Sequence, residues 1–399
     1  MINNKTNKYM SIVCVISVLS QIPYIYNSAI FSKLSSIAWF LFAGLLLINN
    51  GYTICKSNIV LFPVLFDLYC LIMEMISGNN YIGADLFRPV NLCTFVFLVG
   101  ILESRFFDFK SLIIFVKSYI GGTLITSIII YFKYCFGRAI TGNGYLYNGK
   151  NSLASIVLIS IILTVVLREY LFISKLEKIG MKLLIVYNIY FLFILKSRTT
   201  LVCLAVLIVW FVVSRDTKWS VKVFVISVMG LITWVILSNQ VLYDTVVNII
   251  ILNGKNSTNL NDITSNRMDH VAIFQTLFPG NEAFGIGGYY LESFPLTMLL
   301  SFGWVGSMGV FLFAISPILS GVKGLCQRNK DKVFTIILLA VSVSLLVNGI
   351  AEEQPPFGPG IKCFVMWFLY GIYCGQSNYV NLREKNNVKS FNSDILLHE

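Results

Sequence analysis

Arg198 stands in a five-residue polar interruption, Lys196-Ser197-Arg198-Thr199-Thr200, inside a stretch that is otherwise apolar from about 183 to 214. A guanidinium held at membrane depth costs several kcal/mol unless it is paired or faces water, so it is a functional candidate by default. Its fork of donors matches the oxygens of a phosphate. Three further arginines, Arg88, Arg138 and Arg267, fall on the same side of the expected topology, and the four could line one cavity for an anionic group. Arg267, Asp269 and His270 share one expected helical turn, with Arg267 and His270 three apart on one face. Neutral His270 could accept a proton near pH 7; an exposed histidine bonded to water fits equally well. Glu352 and Glu353 precede Gln354-Pro355-Pro356. They could position hydroxyl groups or serve as a base, or simply form a polar helix end stopped by proline. Asp67 and Glu74, seven apart, share a helical face where carboxylates either relay protons or hydrogen-bond a neighbouring helix.

Other chemistries find little support. One histidine outside the tail, with scattered acids, makes no metal ligand set. The nine cysteines include no C-x-x-C, and Cys14, Cys70, Cys93 and Cys203 lie in apolar runs, where a thiol behaves as a small hydrophobe. Gly285, Gly287 and Gly288 lack the preceding strand of a dinucleotide fingerprint.

The elements that must hold these residues are set by composition. The 399-residue chain is 56% hydrophobic and only 12% charged, with mean hydropathy +0.77. An ordinary soluble domain is about 25% charged. A soluble enzyme, a disordered chain and a nucleic-acid binder are excluded. The net charge of +11 then reflects basic cytoplasmic loops.

A span needs about 20 apolar residues. Runs occur near 9–29, 36–55, 59–78, 89–104, 112–132, 152–174, 183–196, 199–214, 221–239, 296–319, 333–351 and 361–378. Taken as one helix, 183–214 would reach about 48 Å, too long for one crossing. Read as a hairpin, its arms are roughly 20–24 Å each, which would recess the tip carrying Arg198. The hairpin also puts 20 of the 30 Lys and Arg residues on the cytoplasmic side, as the positive-inside rule favours. The expectation is an all-α polytopic membrane protein of about 12 transmembrane helices, with both termini cytoplasmic. One transmembrane domain covers 1–378, a large outer loop at 240–295 separates the ninth and tenth spans, and 379–399 forms a polar cytoplasmic tail. Within the loop, 246–252 is expected as an interfacial helix and 264–278 as a second helix, broken at Pro279-Gly280.

Several segments, in order, resemble the Wzy and O-antigen ligase group of bacterial membrane glycosyltransferases. Arg138-Ala139-Ile140-Thr141-Gly142 followed by Asn151-Ser152-Leu153-Ala154 is similar to that group's Arg-x-x-x-Gly…Asn-x-x-Ala segment. Ser197-Arg198-Thr199 resembles its Ser-Arg motif, and Arg267 followed by Gly285-Ile286-Gly287 its Arg…Gly-x-Gly pattern. Glu292-Ser293-Phe294 and Gly303-Trp304-Val305-Gly306 resemble the end of its large periplasmic loop. The likeness covers roughly 138–310. Where the group's ligases carry a histidine, this chain has Leu291-Glu292-Ser293, which favours the polymerase branch.

The resemblance implies an O-antigen or related surface-polysaccharide polymerase in the bacterial inner membrane. Such an enzyme moves a growing glycan from undecaprenyl pyrophosphate to a new lipid-linked repeat unit on the periplasmic face, with no metal or nucleotide-sugar cofactor. Its partners would be the lipid-linked oligosaccharide, the bilayer, a chain-length regulator and a flippase, and no nucleic acid. Arg198 and Arg267 would clamp the diphosphate, with His270 and Glu352 as further catalytic candidates. Arg138, Asn151, Arg88, Gly285, Gly287 and Glu292 would contact substrate. An O-antigen ligase is the alternative in the same class; a lipid-linked oligosaccharide flippase or transporter is the alternative in another.

Overall fold

The computed structural model describes residues 2–28, 33–54, 60–76, 88–136, 149–170, 174–213, 219–244, 246–247, 267–287, 289–326, 332–358 and 360–377. Among them the regular structure is helical and no strand occurs. A helix stands at each of the twelve apolar runs. Five are long and apolar enough to cross a membrane: Phe109–Cys135, Lys150–Glu169, Lys175–Leu195, Phe294–Cys326 and Lys332–Ile350. The helix-long apolar surfaces left outward, such as Leu61, Val64, Leu65, Leu68 and Ile72 on one helix, would be costly in water and suit a lipid solvent.

The hairpin differs from its expected dimensions. Its first arm is the 21-residue helix Lys175–Leu195, about 31 Å long, rather than a short arm from 183. Ser174 starts it early: its hydroxyl accepts from the Glu177 N–H at 3.2 Å, and the Glu177 carboxylate accepts from the Ser174 N–H at 3.1 Å. The second arm, Arg198–Val213, has 16 residues. The tip is enclosed by neighbouring segments and not by shortness of both arms; Ser197 is 2% and Thr200 1% exposed.

The helix at 361–377 runs through the middle of the bundle, buried along nearly its whole length. It lies against Arg88–Glu103 at small residues. A Cβ on Gly371 would overlap the Phe97 carbonyl oxygen, and one on Gly375 the Ser104 hydroxyl. Gly371 and Gly375, four apart, thus allow the close backbone approach that drives helix association in lipid. Polar rungs add specificity. Asn348 Nδ2 donates to Ser155 Oγ at 2.7 Å, joining Lys332–Ile350 to the helix beginning at Lys150. The Asp67 carboxyl lies near the Thr94 hydroxyl of the neighbouring helix, which itself donates to the Val90 carbonyl at 3.0 Å.

The helix Phe294–Cys326 is kinked at Gly303, with φ 61° and ψ −170°. The kink releases two rungs of its ladder. Their carbonyls, Leu300 and Ser301, accept from the N–H groups of Ile286 and Gly287 at 2.8 and 3.0 Å. Their N–H groups, Trp304 and Val305, donate to the carbonyls of Glu282 and Ala283 at 2.8 and 3.1 Å. The glycine-rich loop therefore replaces the missing helical bonds, as buried backbone groups require. Gly285 admits this approach, since its Cβ would overlap the Ser301 and Phe302 backbone.

Gly371→Val should lower the unfolding midpoint of the detergent-solubilised protein by overpacking, at about 1–3 kcal/mol or more. Gly44→Ala, where nothing lies within 4 Å, should leave it unchanged or slightly raised. Thermal unfolding of the two variants side by side checks this.

Candidate functional site

One end of the bundle gathers the starts of the helices at Lys150, Arg198, Phe294 and 361, together with the segment following Ile350. Trp367 holds that segment in place. Its Nε1 donates to the Pro356 carbonyl at 2.9 Å, and its ring stacks on Phe357 with centroids 4.8 Å apart. The Glu352 carbonyl accepts from the Phe294 N–H at 3.0 Å, tying this segment to the start of the kinked helix.

The Glu352 carboxylate is the meeting point of the site. Its Oε1 accepts from Asn151 Nδ2 at 2.8 Å and from the Thr199 hydroxyl at 3.4 Å, and lies 3.9 Å from Arg267 Nη2. Arg267 also pairs with Glu292, Nε to Oε2 at 3.3 Å, though this nitrogen is not aligned for a hydrogen bond. Lys362, 4% exposed, donates to Ser152 Oγ at 3.0 Å and Gln354 Oε1 at 3.4 Å, and its charge reaches Glu352. Burial pushes the Glu352 carboxyl above the usual carboxylate range; Lys362 and Arg267 oppose that rise, Glu292 adds to it, and the Thr199 hydroxyl opposes it.

Further cations stand nearby. Arg198 lies close enough to Arg267 for their charges to repel. Lys150 feels the like charges of Lys196 and Arg198 in turn. Lys196 occupies the helix-ending position with φ 51° and ψ 39°, and burial pushes its ammonium below its ordinary value. Tyr290 faces the carboxylates: burial raises its hydroxyl, and Glu292, Glu353 and Glu352 raise it further, against Arg267. His270 packs edge-on against Tyr290, centroids 6.1 Å apart, with Nδ1 buried and lacking a hydrogen-bond partner among the described residues.

Of the residues singled out in the sequence, Arg198, Arg267, Glu352, Asn151 and Glu292 come together, with His270 one ring removed. Gly285 and Gly287, expected to contact substrate, lie against the kinked helix: the Gly287 N–H donates to the Ser301 carbonyl, and a Cβ on Gly285 would overlap the Ser301 and Phe302 backbone. Arg88 begins its helix, but its side chain, Arg138 and Gly288 lie outside the described residues, as does most of the expected interfacial helix at 246–252. The expected helix at 264–278 is found as Arg267–Leu277. Lys150, Lys196 and Lys362, which no motif singled out, also stand at this end of the bundle. Lys150 and Lys196 each lie within two residues of a motif residue, a signal that could have found them. Lys133 sits over the Tyr24 ring at 4.0 Å.

No family model matches this chain, and no curated protein matches it.

The arrangement can hold an anion against several fixed cations while a buried carboxylate takes a proton beside it. Glu352 should protonate above the ordinary carboxylate range. Lys362→Met should move that step further up, by removing a cation, and Glu292→Gln should bring it down, by removing a like charge. Infrared titration of the carboxyl band lost in Glu352→Gln measures all three.

Proposed function

We propose that this chain is a metal-independent glycosyltransferase of the bacterial inner membrane that polymerises an O-antigen or a related surface polysaccharide. On this reading twelve helices cross the bilayer, both termini are cytoplasmic, and the Glu352 end faces the periplasm. The observation that carries the reading is the half-buried Glu352 carboxylate, which accepts from Asn151 and pairs with Arg267, with Arg198 near enough to Arg267 for their charges to repel. Cations from separated motifs thereby stand near one carboxylate, a chemistry suited to a diphosphate leaving group.

The reaction is a substitution at the anomeric carbon of the sugar on undecaprenyl pyrophosphate. The acceptor hydroxyl oxygen forms the new glycosidic bond. The bond from the anomeric carbon to the diphosphate oxygen breaks, and its electron pair leaves with the diphosphate. Arg198 and Arg267, already held in place, stabilise that developing charge without reorganising at the moment of reaction. Glu352, in its ionised form, takes the acceptor proton, aided by its raised proton affinity. Asn151 and Thr199 orient its carboxylate, and Glu292 orients Arg267. A chain-length regulator and a flippase would work alongside. The ligase reading is weaker because Glu292 and Ser293 stand where a ligase histidine is expected.

Cells lacking the gene should carry single repeat units in place of long glycan. Arg198→Ala, Arg267→Ala and Glu352→Gln should each restore protein abundance but cut polymer formation by about two to three orders of magnitude. A glycan size profile against an immunoblot checks this. Long chains at normal levels in these variants would remove the residues from the mechanism. Long polymer left on the isoprenoid carrier in the deleted strain would mean a ligase.

A further inference from the structure

Glu352 lies just past the last turn of Lys332–Ile350, and Asn151 stands in the first turn of the helix beginning at Lys150. Helix ends fray, because their terminal backbone groups lack partners within the helix. A hydrogen bond between two such ends is only as well placed as the ends themselves. Residues further inside the bundle have to hold them.

Such a pair stands one turn inward. Asn348 precedes Glu352 by four residues, and Ser155 follows Asn151 by four. Asn348 Nδ2 donates to Ser155 Oγ at 2.7 Å, as Asn151 Nδ2 donates to Glu352 Oε1 at 2.8 Å. One helix leaves this end of the bundle where the other arrives, so the two bonds are successive rungs of one antiparallel seam. Backbone bonds connect the rungs on both sides. Ser155 Oγ donates in turn to the Asn151 carbonyl at 3.1 Å. The Asn348 carbonyl accepts from the Ala351 N–H at 3.1 Å, in the turn that leads into Glu352. A Cβ on Gly349 would overlap the Pro355 carbonyl, so the chain beyond Glu352 folds back onto the residue next to Asn348. A closed ring of chain and hydrogen bonds thus joins Asn348, Ser155, Asn151 and Glu352. Asn348 and Ser155 are both buried, so water does not compete for their bond.

We propose that Asn348 and Ser155 are positioning residues for Glu352: they fix the register of the two helix ends and thereby keep the Asn151 amide on the carboxylate. The inference rests on the reading of Glu352 as the proton acceptor and deepens it. The Asn151 amide favours the ionised carboxylate, the form that takes the acceptor proton. Without the inner rung the helix ends lose their fixed register, and the amide leaves the carboxylate for part of the time. The ionised form then loses a donor, and its proton affinity rises.

Infrared titration of the purified full-length protein tests this, following the carboxyl band that Glu352→Gln removes. Lys362, Arg267, Glu292 and Thr199 act on the same carboxylate and are kept in every variant. Asn151→Ala should move protonation to higher pH. Asn348→Leu and Ser155→Ala should each move it the same way, by no more than Asn151→Ala does. The double variant Asn348→Leu/Asn151→Ala should titrate like Asn151→Ala alone, since the inner pair acts through that amide. Asn188→Leu is the control. Asn188 is also buried and donates to Ser160 Oγ at 3.4 Å, but Ser160 lies more than two turns along the helix from Asn151. That variant should titrate like the wild type, whatever its unfolding temperature. Polymer formation should fall about two- to tenfold in Asn348→Leu, as for one lost neutral hydrogen bond. Should Asn348→Leu fail to fold, Ser155→Ala, which removes a single oxygen, carries the same comparison. A wild-type titration in the inner-rung variants overturns the proposal. So does a shift that adds in full to that of Asn151→Ala, or an equal shift in Asn188→Leu. The expected titrations in a protein whose deletion leaves glycan length unchanged keep the positioning role and remove only the polymerase reading.

Discussion

A carboxylate half-buried at the end of a helical bundle draws partners from other segments, and Glu352 imposes that requirement on most of the site. Its partners come from the start of the helix at Lys150, from the turn after Lys175–Leu195 and from the start of Arg267–Leu277. Lys362 adds a cation from the central helix. Removing Arg267 or Lys362 would take a counter-charge from a half-buried carboxylate, and removing Asn151 would take a hydrogen bond from it. The same constraint fixes the distance between the hairpin turn and the loop helix. Without it Arg198 and Arg267 would have no reason to approach, since like charges repel.

The backbone around this carboxylate is held by a different device. Gly303 breaks the helix Phe294–Cys326, and the loop from Glu282 to Gly287 completes the broken ladder. That exchange docks the loop against the bundle and sets the path that carries the chain on to Glu292. Glu292 then grips Arg267, so a helix kink positions a guanidinium through two covalent segments and one ion pair. At the opposite flank, Trp367 clamps the segment 354–357, and the Phe294 N–H caps the Glu352 carbonyl.

Helix positions were legible in the sequence because, in lipid, the apolar run itself is the structural signal. Arg198 was legible for the same reason: a charge interrupting such a run has to be accounted for. The pairing of Asn151 with Glu352, 201 residues apart, was not, since no local pattern encodes which helix ends meet. Lys150, Lys196 and Lys362 were hidden by a rule that counts loop cations in bulk and does not ask which are enclosed. Nor was the packing of Gly285 legible: its Cβ would overlap the Ser301 and Phe302 backbone, a contact between segments that no local pattern encodes. The early start of the helix at Lys175 was encoded in Ser174 and Glu177, a capping pair that apolar counting ignores.

The account stands or falls on what occupies the space between the two arginines. The most direct measurement is a structure of the protein in a lipid nanodisc, loaded with an isoprenoid-diphosphate-linked oligosaccharide. The account predicts diphosphate density within hydrogen-bond distance of Arg198 and Arg267, with the first sugar against Glu352. Diphosphate density at the far end of the bundle, near Glu103, or density on Arg198 with Arg267 unchanged and out of reach, would contradict it.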